Sequence, residues 1–410
     1  MHVTDRELII SARGLRSFAY GMLSVFLAVA LSGEGIDPFR IGVLITVSLI
    51  GDLLGTYVAG VYADKWGRRK TQIVLGVGMS ATGLVFVITD AYGLLLLAAF
   101  FGTLGTTASE TAPFLPIDQA MVAEVVAGNA RTSAFVGYNL VATFAAAAGA
   151  LAAGIPTLLM QWAVPRQVAV DSVFVVYAAL GLVVAGITTR LTRSVEPTPA
   201  ETKESERLGW RRVAPPLPQS GRLIVRLTVL FGVDAFAGGL VVQSLMALYF
   251  HLRFGVPLGQ LAVIFFLANT ASALSFLAAG PLAKHIGLLN TMVFTHLPSN
   301  VLLILVPFMP TFPTAAAMLI ARQLLSQLDV PTRQSYTMAL VPPAERTAAA
   351  SVTSLGRSVG SSASPVMSGL ILQGPQAAIG LPFVLAGGIK AAYDLVLWRV
   401  FRRVHLPEGF

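Results

Sequence analysis

The chain has 410 residues, of which 55% are hydrophobic and 12% charged, and its mean hydropathy is +0.75. Soluble domains carry about twice that charge fraction, so the composition excludes a soluble globular chain. The absence of cysteine excludes thiolate metal centres, and the net charge of +8 needs an explanation other than nucleic acid.

The N-terminal stretch "MHVTDRELIISARGLRSFAYG" mixes charges of both signs, offers no cleavage site and reads as a cytoplasmic tail entering a first apolar span. A helix that crosses a bilayer needs roughly 20 mostly apolar residues. Twelve candidate spans follow in order: 12–32, 39–63, 71–89, 93–123, 131–160, 169–190, 224–252, 258–282, 288–309, 313–340, 346–373 and 379–402. With the N-terminus inside, the inner segments hold 21 of the 28 Lys and Arg residues, and the outer loops hold only Arg40, Arg166 and Arg253. Cytoplasmic loops are enriched in these residues. The fold class expected is therefore an all-α membrane protein with twelve transmembrane helices and both termini cytoplasmic. The high pI follows from topology.

Residues 191–221 break the pattern, being charged, Pro-rich and without an apolar run. They read as a cytoplasmic linker, within which "ETKESERLGWRR" is either a short surface helix or a flexible tether. The linker separates an N-terminal six-helix bundle (1–190) from a C-terminal one (222–410). A shift of 215 residues lays "RTSAFVGYNLVATFAAAAGALAAG" (131–154) over "RTAAASVTSLGRSVGSSASPVMSG" (346–369), and pairs Pro116 with Pro331 and Gln119 with Gln334. A shift of 220 lays "AGVYADKWG" (59–67) over "AGPLAKHIG" (279–287). The two bundles are thus expected to be pseudo-symmetric copies, an architecture of secondary transporters that place the substrate near the midplane. No lysine follows a glycine, so the phosphate-cradling loop of an ATP-driven pump is absent.

Between the second and third spans lies "GVYADKWGRRK" (60–70). It resembles the signature G-x-x-x-D-[RK]-x-G-[RK]-R-[RK] of the major facilitator superfamily, and every specified position agrees. With the twelve spans, the linker and the worn copy at 280–287, the resemblance extends over the whole chain. It implies that Gly60 allows close helix packing and that Gly67 keeps the loop's spacing. Asp64 would lie near the start of span 11, where Glu345 and Arg346 offer further pairing. Arg68, beside Arg69, would reach an acid at the end of span 4, either Asp118 or Glu124. These contacts would form a cytoplasmic gate. The general pattern is closest to bacterial drug and metabolite efflux members, but span 4 lacks their arginine and span 5 ends "GALAAGIP" in place of their Gly-Pro pattern. The resemblance also places spans 2 and 11 together, where Gly51/Gly55 and Gly356/Gly360 have the G-x-x-x-G spacing that allows close approach.

Ionisable residues deep in a helix cost at least ~2.5–3.5 kcal/mol and need a reason. Asp52, Glu110, Asp234, Arg322, Asp329, Arg333 and Arg357 are the coupling or substrate candidates. Asp329 and Arg333 are four apart and Arg322 seven before Asp329, so the three share a face. They form either an ion-pair ladder or a binding group, with Arg322 the preferred substrate cation. Glu110 precedes Pro113 and Pro116, which bend the helix, and it serves either proton exchange or pairing with Arg357 or Arg322. Asp234 either carries a proton or pairs with a base, and Lys390 is expected to pair with Asp394, four residues on. Met292 and His296 are also four apart, but no metal site is proposed there.

The leading expectation is a secondary active transporter, not an enzyme. It would move a small organic solute by alternating access as proton-coupled efflux (antiport), with Glu110, Asp52 or Asp234 carrying the proton. The alternative is a transporter of an anion, whether an organic acid, a phosphorylated metabolite or an oxyanion, held by Arg322 and Arg357. A non-transporting sensor on the same scaffold is the third reading. The partners expected are a small-molecule substrate and the lipid bilayer, with no nucleic acid. A monomer in the cell membrane is expected, with no cofactor beyond a coupling ion, H+.

Overall fold

A backbone in hydrocarbon must satisfy its own N–H and C=O groups, which favours helices wherever the chain is apolar over membrane length. The computed structural model describes residues 4–107, 113–126, 131–198, 202, 217–342 and 345–403, and every regular element among them is helical. In the first half these are α1 (Asp5–Gly33), α2 (Pro38–Trp66), α3 (Arg68–Ile88), α4 (Tyr92–Phe101), α5 (Phe114–Val125), α6 (Arg131–Ala152), α7 (Ile155–Gln161) and α8 (Arg166–Thr189). The second half holds α9 (Gly221–Leu240), α10 (Gln243–Phe254), α11 (Leu258–Ile286), α12 (Leu288–Leu305), α13 (Phe312–Ser326), α14 (Asp329–Ala339), α15 (Arg346–Ala363), α16 (Pro365–Leu372) and α17 (Leu381–Phe401).

Each of the twelve expected spans has its helix or helix pair. Nine stretches among the described residues are long and apolar enough to cross a membrane by themselves. Spans 4, 10 and 11 are the exceptions, and each is interrupted. Pro113 and Pro116 were expected to bend span 4. The helix instead stops at Phe101 and restarts at Phe114, with Pro113 at the N-cap of α5. A proline donates no N–H and suits a first helical turn better than an interior. Span 10 breaks at Gln327–Leu328, shortly before Pro331, and span 11 breaks at Ser364, before Pro365.

The breaks respect the repeat. The shift of 215 carries the start of α5 to the start of α14, and the start of α6 to the start of α15. Packing repeats as well: α1 lies chiefly on α6 and α3 on α8, as α9 lies on α15 and α12 on α17.

The chain divides into two units. Unit 1 comprises Met1–Ile36, Val43–Arg212 and Pro257–Phe266, and unit 2 comprises Asp37–Gly42, Val213–Val256 and Leu267–Phe410. Unit 1 has an apolar core that includes Ile9, Ile117, Met121, Tyr138 and Val195. That of unit 2 includes Leu227, Phe231, Met292, Tyr336 and Leu397. Ile88 (77% exposed) and Phe101 (75%) stand outside these cores, as lipid-facing positions do.

The glycine pairs take partners other than the expected ones. A Cβ on Gly51 would collide with the carbonyl of Phe100 in α4, and one on Gly55 would meet Pro113. Gly356 packs on Thr228 and Gly360 on the carbonyl of Gly232, both in α9. These glycines therefore serve close packing inside each unit.

Candidate functional site

The signature loop is a helix-to-helix turn. Gly67 has φ +97°, a conformation that side chains resist, and it lets α3 start directly after α2. Its counterpart Gly287 has φ +85°, and Thr71 and Thr291 each donate their hydroxyl to the carbonyl of that glycine, at 2.9 and 2.8 Å. The worn copy has kept the turn and one base, Lys284, but has lost the aspartate and the Arg-Arg-Lys run.

Arg68, buried at 5% exposure, donates Nε to Asp64 Oδ1 at 2.8 Å, and one terminal nitrogen to Glu124 Oε2 at 3.4 Å and the carbonyl of Val195 at 3.2 Å. Glu124 is thus the acid of span 4 that Arg68 meets. A further partner of the loop lies in the segment read as linker: Glu196 accepts the backbone N–H of Arg68 at 2.7 Å and of Arg69 at 3.2 Å. A carboxylate there answers the unpaired donors and positive end of α3. Arg69 also donates to the carbonyl of Thr189. The strap around Glu196 is held by Val195, which is fully buried, and by Asp5, which accepts from Thr192 and Ser194. Gly60 lies in α2.

Glu345 and Arg346 also make contacts within unit 2. Glu345 accepts the N–H of Gln219 at 2.8 Å, the N–H of Ser220 at 3.0 Å and the Ser220 hydroxyl. These hydrogen bonds, the Ser220 hydroxyl foremost, hold its carboxyl below the usual range. Arg346 donates to the carbonyl of Met338.

Asp118, the other candidate partner of Arg68, takes a different arginine. Arg16 of α1, fully buried, is ion-paired to it, and Gln72 and Tyr138 also donate to it, Tyr138 at 2.8 Å. Arg13 and Arg16 were counted as cytoplasmic tail residues, yet both are buried in α1. The guanidinium of Arg16 lies 4.4 Å from the ring centroid of Phe114.

Unit 2 carries the same three positions with identities exchanged. The shift of 215 carries Arg16 to Phe231, Phe114 to Asp329 and Asp118 to Arg333. Arg333 pairs with Asp329 at 2.8 Å and lies 5.6 Å from the Phe231 ring. Each half therefore places one arginine, one aspartate and one phenylalanine at these positions.

In unit 2 this group joins a larger network centred on Asp234 of α9. Its Oδ1 accepts Lys390 Nζ at 2.6 Å, and its Oδ2 accepts Arg357 at 2.9 Å, with Arg333 at 3.5 Å. The structure thus brings together Asp234, Asp329, Arg333 and Arg357. Lys390 does not pair with Asp394 as expected. Asp394 accepts His296 Nδ1 at 2.9 Å and Asn300 Nδ2 at 2.8 Å. Carboxylates of α9 and α17 compete for one ammonium, and Asp234 has it.

Arg322 of α13 is 9% exposed; it donates to Gln323 Oε1 at 3.0 Å, and its buried Nε has no hydrogen-bond partner among the described residues. It forms no salt bridge among them either. Four cationic side chains (Arg322, Arg333, Arg357, Lys390) accompany three carboxylates (Asp234, Asp329, Asp394), so the cations outnumber the acids by one before His296 is counted. Of these cations only Arg357, at 33% side-chain exposure, reaches the surface of the unit. In unit 1, Asp52 of α2 is buried at 7% without a hydrogen bond or ion pair among the described residues. Glu110 lies outside the described residues. No group of three His, Cys, Asp or Glu residues suited to a metal ion occurs among the described residues.

Lys390 and His296 are the members of this network whose roles sequence reading missed. Their signal was present: a lysine and an aspartate four apart in an apolar helix, and a histidine in another.

Comparison with known proteins follows the same lines. The chain is 25% identical over 422 residues, 97% of its length and 94% of the relative's, to an uncharacterised membrane protein of Saccharomyces cerevisiae. It is 29% identical over 159 residues to the "Probable 4-methylmuconolactone transporter" of Cupriavidus pinatubonensis, covering 39% of this chain and 35% of that one. Its fold is similar to that of the nucleoside transporter NupG, with TM-score 0.72 and 13% identity over 98% of this chain and all of the other. The family model described as Major Facilitator Superfamily matches residues 9–365. With its twelve expected spans, duplicated halves and signature turn, the chain belongs to the Major Facilitator Superfamily, as a multi-pass membrane transporter of small solutes.

Proposed function

We propose that the protein is a monomeric secondary transporter of a small organic anion, in which Arg322 and Arg357 hold the anionic group. The supporting observation is the excess positive charge of unit 2. A buried arginine without an acid is costly, and a substrate carboxylate or phosphate supplies the missing charge with the paired acceptors that a guanidinium's donors match. Arg357 is the receiving group, because it is the exposed cation and is shared with Asp234. An arriving anion competes with Asp234 for it. The test is uptake and export of a panel of acidic solutes in proteoliposomes. Arg357→Ala and Arg322→Ala are each expected to reduce transport of the accepted solutes at least tenfold. Full transport of every acidic solute by both variants overturns the reading.

A second observation favours proton coupling. Asp52 is a buried carboxylate without a compensating cation among the described residues, and an unpaired charge is costly to bury. Export against inward proton flow uses this group as the carrier. Asp52→Asn is expected to make transport indifferent to an imposed pH gradient while leaving solute exchange intact. Unchanged gradient dependence overturns the assignment.

A further inference from the structure

Behind the Asp234 network lies a pair of titratable groups that the transport reading leaves unused. His296 of α12 and Asp394 of α17 are 4% and 1% exposed, and the imidazole Nδ1 lies 2.9 Å from Asp394 Oδ1. His296 is the only ion-pair partner of Asp394 among the described residues. A buried carboxylate facing a lone imidazole has two charge states that differ by one proton: carboxylate with imidazolium, or carboxylate with neutral imidazole. Asn300, fully buried, donates Nδ2 to Asp394 Oδ2 at 2.8 Å and holds the carboxylate in place in both.

We infer that His296 and Asp394 form a proton-binding site, and that Lys390 links its occupancy to the Asp234 network. The inference stands on this geometry and does not depend on the anion reading. Lys390 lies one helical turn before Asp394 on α17, on the same face, and its ammonium is on Asp234 Oδ1 at 2.6 Å and the Asp234 carbonyl at 3.2 Å. With the proton bound, the pair is neutral and Lys390 stays with Asp234. When the proton leaves His296 from its Nε2 side, because Nδ1 holds Asp394, the pair becomes a net anion beside Lys390. The ammonium then turns to Asp394, and Asp234 is left with Arg333 and Arg357 alone. The other charged or titratable groups on the elements packed around α12 and α17 are Asp234 on α9, with Arg222 and Arg226 in its first two turns, Arg322 on α13, Asp329, Arg333 and Tyr336 on α14, Tyr393 beside Asp394, and Arg399 in the last turn of α17. The ring of Tyr393 lies 6.4 Å from that of His296.

The experiment needs no substrate. The chain has five histidines. The full-length protein, labelled at its imidazoles with ¹⁵N and placed in lipid nanodiscs, is titrated by NMR from about pH 5 to 9, the range that brackets an ordinary imidazole. The His296 signal is assigned as the one missing in His296→Gln. Its midpoint is expected to fall by at least about one pH unit in Asp394→Asn, since an adjacent carboxylate favours the charged imidazole. It is expected to rise in Lys390→Met, where a nearby cation has been removed. Asn300→Ala, which keeps both members of the pair, is expected to shift it as well and replaces Asp394→Asn if that variant does not fold. Absence of titration in this range, or a midpoint unmoved by the Asp394 or Asn300 change, overturns the site. A midpoint unmoved by Lys390→Met overturns the link. None of these outcomes bears on anion transport through Arg357, which is read by flux.

Discussion

At the scale of single residues, the exchanged Arg, Asp and Phe positions show what the duplicated halves have in common. A cation inside an apolar bundle needs a counter-charge and benefits from an aromatic face. Which position supplies which group is free so long as all three are present. Reading one half alone, Asp118 looked like a partner for Arg68. The geometry gives Asp118 to Arg16, Gln72 and Tyr138, and leaves Arg68 to Asp64 and Glu124. Asp118→Asn is therefore expected to leave Arg16 buried without its counter-ion and to destabilise unit 1 by about 3–5 kcal/mol. A thermal melt of the purified variant checks this, and a Tm indistinguishable from the parent's would show that the pair is dispensable. Glu345 gives a prediction with a pH signature. Its folded carboxyl is held below the ordinary glutamate range by Ser220 and Gln219. A depressed folded pKa contributes stability above the unfolded value, and that contribution is lost as pH falls through the folded value. Glu345→Gln should thus melt below the parent at neutral pH, and the two curves should begin to converge only as pH falls below the ordinary glutamate value of about 4.3, meeting once it has passed the lower folded value.

At the scale of elements, helix positions were readable because hydropathy runs of membrane length have few alternative structures. Interruptions were less readable. Proline marks each of the breaks in spans 4, 10 and 11, yet a proline inside an apolar run is compatible with a bend or a stop. Pro281 and Pro298, by contrast, lie inside continuous helices α11 and α12. Packing of the preceding segment decides between these outcomes, and hydropathy does not report it. Glu196 was illegible for a related reason. A charged, Pro-rich stretch has the composition of a tether, and only the unpaired N–H groups at the start of α3 make one of its acids a cap. The turn itself was legible from spacing, and its cost can be measured. Gly67→Ala forces a side chain into φ near +97°, a strain of about 1–3 kcal/mol. Gly287→Ala should cost a similar amount although its loop has lost the aspartate and the Arg-Arg-Lys run of the signature. Equal drops in Tm would assign the shared geometry to the backbone, whereas a drop confined to Gly67→Ala would assign it to the charges.

At the scale of the whole molecule, the arrangement of charge carries information that no single helix does. Bases concentrated 21 to 3 on one set of loops orient a chain during insertion because Lys and Arg resist translocation. The same chain tests that orientation, since it contains no cysteine. Any introduced thiol is the only one present. Arg40, Arg166 and Arg253 are exposed at the ends expected outside, and Lys70, Arg193 and Lys284 are exposed at those expected inside. Replaced one at a time by cysteine in intact cells, the first three should react with a membrane-impermeant maleimide. The second three should react only after the membrane is opened. Labelling of Lys70→Cys or Lys284→Cys in sealed cells would invert the topology. The strap that carries Glu196 and the turn at Gly287 would then face outward, where they could serve no cytoplasmic gate.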